Sequence, residues 1–335
     1  MMKITVEKVK KSIFILFLLL SCLLTACKED NISEPATISQ LPEPKKEDEL
    51  QTRTAGNTIK ESVYGVSLDI LQKSYIVPIK LAGTSPSYTA VYAATTPVID
   101  SRVGAVTNAT GITFDPRTSQ FLITTAANSN IPNSLLQVDK GGKVLAAVTT
   151  KIGKTTIALK DIEHSQTPSN CGLPKFQSRF WAIYNRSIVE VDPLTGLCTS
   201  WATVPGAGIL HGLAADDGDQ VWVIQTNLAN LCSAGSEAQV WRYAIQCVPF
   251  KGLTLANTIC YSNKLKVVNP LGGEGGLMYT RSAHFELFYA TNAATFWASD
   301  FSPTTSPAWS VTPNAKSVIT TAPIGVVDIT HVRIP

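Results

Sequence analysis

Polar residues that could do chemistry recur at one kind of place. Short alternating strands open at GITFD from Gly111, KDIEH from Lys160, HGLAAD from His211, GGLMY from Gly275 and IGVVD from Ile324. At or just before those starts stand Thr110, Lys160, Asp161, His211 and Glu274. His211 and Glu274 could form an acid/base pair. With water they could instead hold a cation such as calcium. Alternation puts Asp161 and Glu163 on one face of their strand and Ile162 and His164 on the other. That acidic pair is either a metal-binding couple or part of a solvated wall. His284 reads as a turn residue, and His331 as a side chain packed near the chain end.

The chain has no G-x-S-x-G and no H-E-x-x-H. The glycine-rich run Gly272–Gly276 lacks the Lys-Ser/Thr and the helix that a phosphate cradle needs. No C-x-x-C or Cys/His spacing points to zinc.

The elements that must position these residues read as all-β. Each of the first four starts is followed by a second apolar strand: FLITTAAN, FWAIYN, VWVIQTN and LFYATN. A third follows in SLLQVDKGGK, SIVEVDPLTG, QVWRYA and TFWASDFSP, with Asp, Pro and Gly in the turns after it. Weaker fourth strands follow in VLAAVTT, SWATVP and AWSVTP. Four antiparallel strands recurring at intervals of roughly 50 to 64 residues make the blade of a β-propeller. The last start, IGVVDITHVRIP, has nothing after it, whereas SVYGVSL, SYIVPIK and YTAVYAA precede the first. Joining one C-terminal strand to three N-terminal ones completes a blade and hides the edges. Five blades are expected over residues 60–335, with six as the fallback because the third interval is long. Trp181, Trp222, Trp241, Trp297 and Trp309 lie within strands and are expected in the core between blades.

The V-D-x-x-T-G turn resembles the YVTN, NHL and quinoprotein-like propeller repeats. That resemblance implies a central channel lined by the first strands, with ligands binding where those strands start. The long polar loops 125–134 and 227–238 fall on the same rim. Some five-bladed propellers are glycosidases with a carboxylate trio. Asp161 or Glu163, Glu274 and Asp328 would be the counterparts here, but Asp328 sits deep in its strand, and Thr110 and His211 occupy comparable starts.

The chain opens with Lys3, Lys8, Lys10 and Lys11, then runs through SIFILFLLLSCLL. That apolar run is shorter than the roughly 20 residues that span a bilayer, and it reads as a secretory signal. Leu24-Thr25-Ala26-Cys27 resembles the lipobox of bacterial lipoproteins. The resemblance implies cleavage before Cys27, diacylglycerol on its sulfur, and an acyl chain such as palmitate on the new amine. Each buried CH₂ adds about 0.8 kcal/mol of membrane affinity, and stable anchoring needs more than one chain. Lys28, Glu29 and Asp30 resemble the surface-export signal of Bacteroidota-type lipoproteins. The expected organisation is a signal peptide over 1–26, a lipidated cysteine and disordered Pro/Glu/Lys-rich tether over 27–59, and a propeller over 60–335. The expected location is the outer membrane, facing the exterior.

The leader holds four lysines against Glu7, and the whole chain is +3, so the remainder is close to neutral. A near-neutral domain lacks the basic field that holds phosphate backbones, which argues against nucleic acid. Cys171, Cys198, Cys232, Cys247 and Cys260 remain beyond the lipobox. An exported chain can oxidise cysteines, and Cys171 with Cys198 is a plausible bridge on the rim opposite the strand starts.

The functional expectation is an envelope-anchored lipoprotein whose propeller binds a glycan, a peptide or an envelope protein, with no cofactor evident. The alternative is a propeller hydrolase or lyase, of lactonase or glycosidase type, with a metal or carboxylates in the channel.

Overall fold

The computed structural model describes residues 62–84, 87–166, 178–204, 209–215, 220–226, 236–246, 252–262, 276–280, 286–290, 296–300, 316–318 and 325–332. These residues form strands and turns and no helix. The leader, Cys27 and the tether lie outside them.

Sheet 1 runs Gly325–Val332, Ser62–Leu68, Ser74–Thr84 and Ser87–Tyr92, with Thr96–Pro97 also paired to its third strand. Sheet 2 comprises Ala109–Asp115, Gln120–Thr125, Ser134–Val138 and Val144–Thr149. Sheet 3 comprises Ile162–Gln166, Ser178–Tyr184, Ser187–Val191 and Cys198–Thr203. Sheet 4 comprises Ile209–Ala215, Gln220–Thr226, Ser236–Gln246 and Gly252–Ser262. Sheet 5 comprises Gly276–Thr280, Glu286–Ala290, Phe296–Asp300 and Lys316–Val318. Every pairing within these sheets is antiparallel.

The first strands lie against one another in succession. Gly325–Val332 touches Ala109–Asp115, which touches Ile162–Gln166, which touches Ile209–Ala215. Gly276–Thr280 in turn touches both Ile209–Ala215 and Gly325–Val332. The arrangement is propeller-like. The expected union of chain ends is present, with Ser62 opposite Val332 and Val66 opposite Asp328.

Two details depart from the sequence reading. The long third interval holds a hairpin of two 11-residue strands, Ser236–Gln246 and Gly252–Ser262. The fourth strand of sheet 5 is Lys316–Val318, and the AWSVTP stretch lies outside the described residues.

The core sits between sheets, because sheets packed on both faces need apolar residues on both. Val66, Ile76 and Val327 of sheet 1 meet Ile112, Phe121 and Leu136 of sheet 2. Leu122 and Leu135 meet Ile162, Phe180 and Val189 of sheet 3. Trp181 and Ile183 meet Leu213 and Val221 of sheet 4. Trp181 and Trp222 are buried as expected, and Trp181 packs edge-on against Trp201 at 5.1 Å. Burying such a ring contributes about 3–5 kcal/mol, judged by truncation to alanine.

The repeated V-D turn has a physical cause. Asp192 Oδ1 accepts from Leu194 N at 2.9 Å, and Asp192 Oδ2 accepts from Thr195 Oγ1 at 2.7 Å. Gly196 follows at φ 70°, a left-handed conformation that glycine adopts freely. A Cβ there would lie 2.3 Å from Thr149 O of sheet 2. Gly142 is its counterpart, at φ 83° with Pro97 O 2.2 Å from the same position. Each glycine therefore both closes its turn and lets the sheet before it approach.

Candidate functional site: buried carboxyls and a cleft at the strand ends

Asp161 immediately precedes the first strand of sheet 3, and Asp328 lies within the first strand of sheet 1. Both are 1 % exposed. Asp161 Oδ2 accepts from Leu213 N of sheet 4 at 2.6 Å. Asp328 Oδ2 accepts from Ile112 N of sheet 2 at 2.7 Å, and its Oδ1 accepts from Ile329 N at 2.8 Å. Each carboxyl thus ties its strand to a neighbouring sheet.

The two carboxyls also meet each other. Burial pushes both well above the usual carboxylate range, and the negative charge of Asp328 raises Asp161 further. The two share a hydrogen bond, so a proton is held between them. Asp161 Oδ1 has no hydrogen-bond partner among the described residues. Glu163 is buried beside them. Its charge also raises Asp328, and its Oε1 stands 3.5 Å from Thr330 Oγ1. The Asp161/Glu163 pair is therefore part of an interior cluster, and the solvated wall expected from alternation is absent at this point.

Thr110, expected at the channel mouth, is another tie. Its hydroxyl donates to Leu159 O at 2.7 Å and lies 3.1 Å from Thr124 Oγ1. Lys160 is half-buried, and its backbone N donates to Ile183 O at 2.9 Å. The structure places His211 on the strand Ile209–Ala215; its side chain lies outside the described residues, as does Glu274. The loop after Thr125 is pinned: Asn130 Oδ1 accepts from Thr107 N at 3.0 Å, and Ser129 Oγ donates to Thr107 O at 2.6 Å. Residues 227–235 of the second long loop lie outside the description.

A cleft opens at the other ends of the first strands. Phe114, Pro116, Glu163, His164 and His331 line it, around about 220 Å³ of empty space that includes its open mouth. His164 Nε2 lies 2.9 Å from Ser178 Oγ, and its ring packs on Phe180 with centroids 5.3 Å apart. Arg117 closes an ion pair on Asp115 at 2.9 Å and stands over Phe180. Lys140 stands over Phe114.

His331 and Phe114 were not legible as site residues, yet a signal existed. The chain reads D-I-E-H at 161–164 and D-I-T-H at 328–331. The structure brings these two tetrapeptides together position by position: Asp161 with Asp328, Glu163 with Thr330, and both histidines at the cleft. Sheets 2 and 4 carry Gly111 and Gly212 directly before the amides these aspartates reach. A Cβ on Gly111 would lie 2.7 Å from Thr124 Oγ1 and 2.9 Å from Asp161 Cα.

Among the described residues Cys198 is a free, buried thiol; Cys171, with which a bridge is expected, lies outside them. Its Sγ donates to Gly196 O at 3.5 Å, and burial pushes the thiol up to about 11. Among the described residues, no group of three or more His, Cys, Asp or Glu is arranged to hold a metal ion.

No family model matches the chain, and no curated protein matches it. Two solved structures are similar to it in part. A protein from Lactobacillus plantarum is 11% identical over 78% of this chain and 68% of its own, with a TM-score of 0.40. A protein of unknown function from Bacteroides caccae is 11% identical over 75% of this chain and 71% of its own, with a TM-score of 0.36.

Proposed function

We propose that the chain is an envelope lipoprotein, anchored through Cys27 in the outer membrane and facing the exterior. Its five sheets act as the blades of a closed propeller that binds a ligand or an envelope partner. The observation that carries the binding reading is the cleft where three first strands end. Polar side chains line it on a floor of interlocked buried groups, and rigid scaffolds of that kind present ligands with fixed geometry. The succession of contacts among all five first strands, and the long hairpin of sheet 4, favour five blades over six.

The test is a glycan and peptide array probed with the full-length chain in detergent micelles, beside Phe114→Ala and His331→Ala. Array ligands lost in both variants support the cleft as the binding site. Ligands retained by both variants overturn it. Incorporation of labelled palmitate that disappears in Cys27→Ser tests the anchor. A calcium-dependent rise in melting temperature, abolished by His211→Ala with Glu274→Ala, tests a cation at the opposite mouth.

A hydrolase or lyase is the second reading, favoured by the convergence of Asp161, Glu163 and Asp328. Burial and the amide ties of both aspartates argue for a structural role instead. Turnover of a glycoside or lactone panel, lost in Glu163→Gln, would reverse that preference.

A further inference from the structure

We infer that the open edge of sheet 2, the strand Val144–Thr149, takes an extended peptide with an acidic residue at each end and an uncharged stretch between. This site shares no residue with the cleft.

The edge is unpaired. Val144–Thr149 is the last strand of sheet 2, bonded on one side to Ser134–Val138. Comparable strands are covered: Cys198–Thr203 touches Gly252–Ser262, and Ser87–Tyr92 touches Lys316–Val318. Outside its sheet, Val144–Thr149 meets mainly the two-residue strand Ile99–Asp100, bridged in parallel to Lys143. At the other end Lys151 is bridged to Leu197, and Gly196 closes on Thr149 O. Between these closures runs a slot over Leu145–Thr149, about 16 Å long at the rise of a strand. Thr150 N donates to Asn133 O, toward the sheet. Main-chain groups alternate sides along a strand, so Ala147 N–H and C=O and Thr149 N–H face outward. Among the described residues, no main-chain bond from another element reaches them.

Charge selects the occupant. Lys143 and Lys151 frame the slot, with Lys154 beyond; Lys143 and Lys154 are exposed and Lys151 is half-buried. The nearby acids are engaged. Asp139 accepts from Gly141 N and Lys143 N, Asp192 from Leu194 N and Thr195 Oγ1, and Asp100 pairs with Arg102. Between the lysines the run LAAVT is uncharged, and Leu145 is 47 % exposed. Lysines that guard an edge against pairing stand within it; these stand outside and leave the middle bare. In strand addition, main-chain bonds supply affinity and flanking charges supply selectivity. A second copy fits poorly. Twofold pairing of Ala147 with its own copy sets Lys143 opposite Lys151 twice, and like charges directly opposite are destabilising.

The experiment uses the full-length chain in detergent micelles at constant ionic strength. The probe is a fluorescein-labelled heptapeptide, with glutamate at each end and alternating valine and threonine between, followed by anisotropy. A lysine-ended version is its control. Saturable binding of the glutamate-ended peptide is expected, with the lysine-ended one at least about tenfold weaker. Lys143→Glu with Lys151→Glu should reverse that preference. Ala147→Pro removes an outward N–H and should weaken binding about tenfold; its unliganded melt reports whether the fold survives. Methylating one alternate set of peptide amides should abolish binding, whereas methylating the other set should spare it, because strand pairing has a period of two. This contrast needs no variant of the protein. Exchange of the Ala147 and Thr149 amides should slow when the probe binds. No saturable binding, equal binding of both peptides, or indifference to which amides are methylated overturns the inference. Polyglutamate that binds as tightly as the probe overturns it by reducing the site to charge alone. Amide exchange at Ala147 and Thr149 that slows with protein concentration, without peptide, overturns it in favour of a second copy.

Discussion

Asp328 Oδ2 accepts a hydrogen bond from Ile112 N at 2.7 Å, across 216 residues of chain. The contact fixes the last strand against the first strand of sheet 2, between two buried residues. Deleting the carboxyl leaves the Ile112 amide buried and unpaired, which costs about 1–3 kcal/mol. Asp328→Ala should lower unfolding stability by that amount in a urea titration. An unchanged midpoint would show the tie to be dispensable.

The proton shared with Asp161 makes stability depend on pH. Both carboxyls titrate above the ordinary value of 3.8 in the folded chain. The folded state therefore holds more protons than the unfolded one as pH rises past that value, so stability falls with rising pH over that window. An amide at position 161 can donate to Asp328 without titrating. Asp161→Asn should therefore gain stability relative to the parent as pH is raised from 4 to 8. Parallel stability curves for the two proteins over that range would contradict the shared proton.

Gly111 has little room beside it. A Cβ would lie 2.9 Å from both Asp161 Cα and Ile162 N, which are backbone atoms that cannot swing aside. Gly111→Ala should cost about 1–3 kcal/mol through forced separation of sheets 2 and 3. Gly104, also a glycine but with nothing within 4 Å of its Cβ position, should lose only about 1 kcal/mol for its positive φ. Equal losses in the two variants would show that the close approach is unimportant.

Cys198 should resist alkylation. Its thiol, pushed up to about 11 by burial, is almost wholly protonated at pH 8, and the thiolate is the reactive form. Iodoacetamide followed by peptide mass mapping should label Cys198 only after denaturation, without any reductant. Labelling that requires reductant would indicate a disulfide at that position.

Much of this fold was readable because alternation and turn chemistry are local. The strand FLITTAAN and the turn after Val191 announce themselves through apolar runs and through Asp-Pro-Gly signals. The union of Ser62–Leu68 with Gly325–Val332 was readable from an incomplete set of strands at each end. The site was less legible. Gly111 and Asp161 looked like different kinds of start, yet they occupy corresponding places, one directly before the amide that Asp328 reaches and the other supplying a carboxyl. Which face of KDIEH meets solvent depends on how closely neighbouring sheets approach, and the strand alone does not encode that distance. His331 carried a signal only by comparison with His164, through the shared D-I-x-H. The leader and Glu274 lie outside the described residues.

The seam between chain ends is tested most directly by hydrogen exchange with peptide mass analysis. If Gly325–Val332 is hydrogen-bonded to Ser62–Leu68 in the register that sets Val66 opposite Asp328, amides in both segments exchange slowly and together, at the rate of global unfolding. Exchange of either segment as fast as an unstructured peptide, while Gln120–Thr125 stays protected, would contradict the pairing of the chain ends.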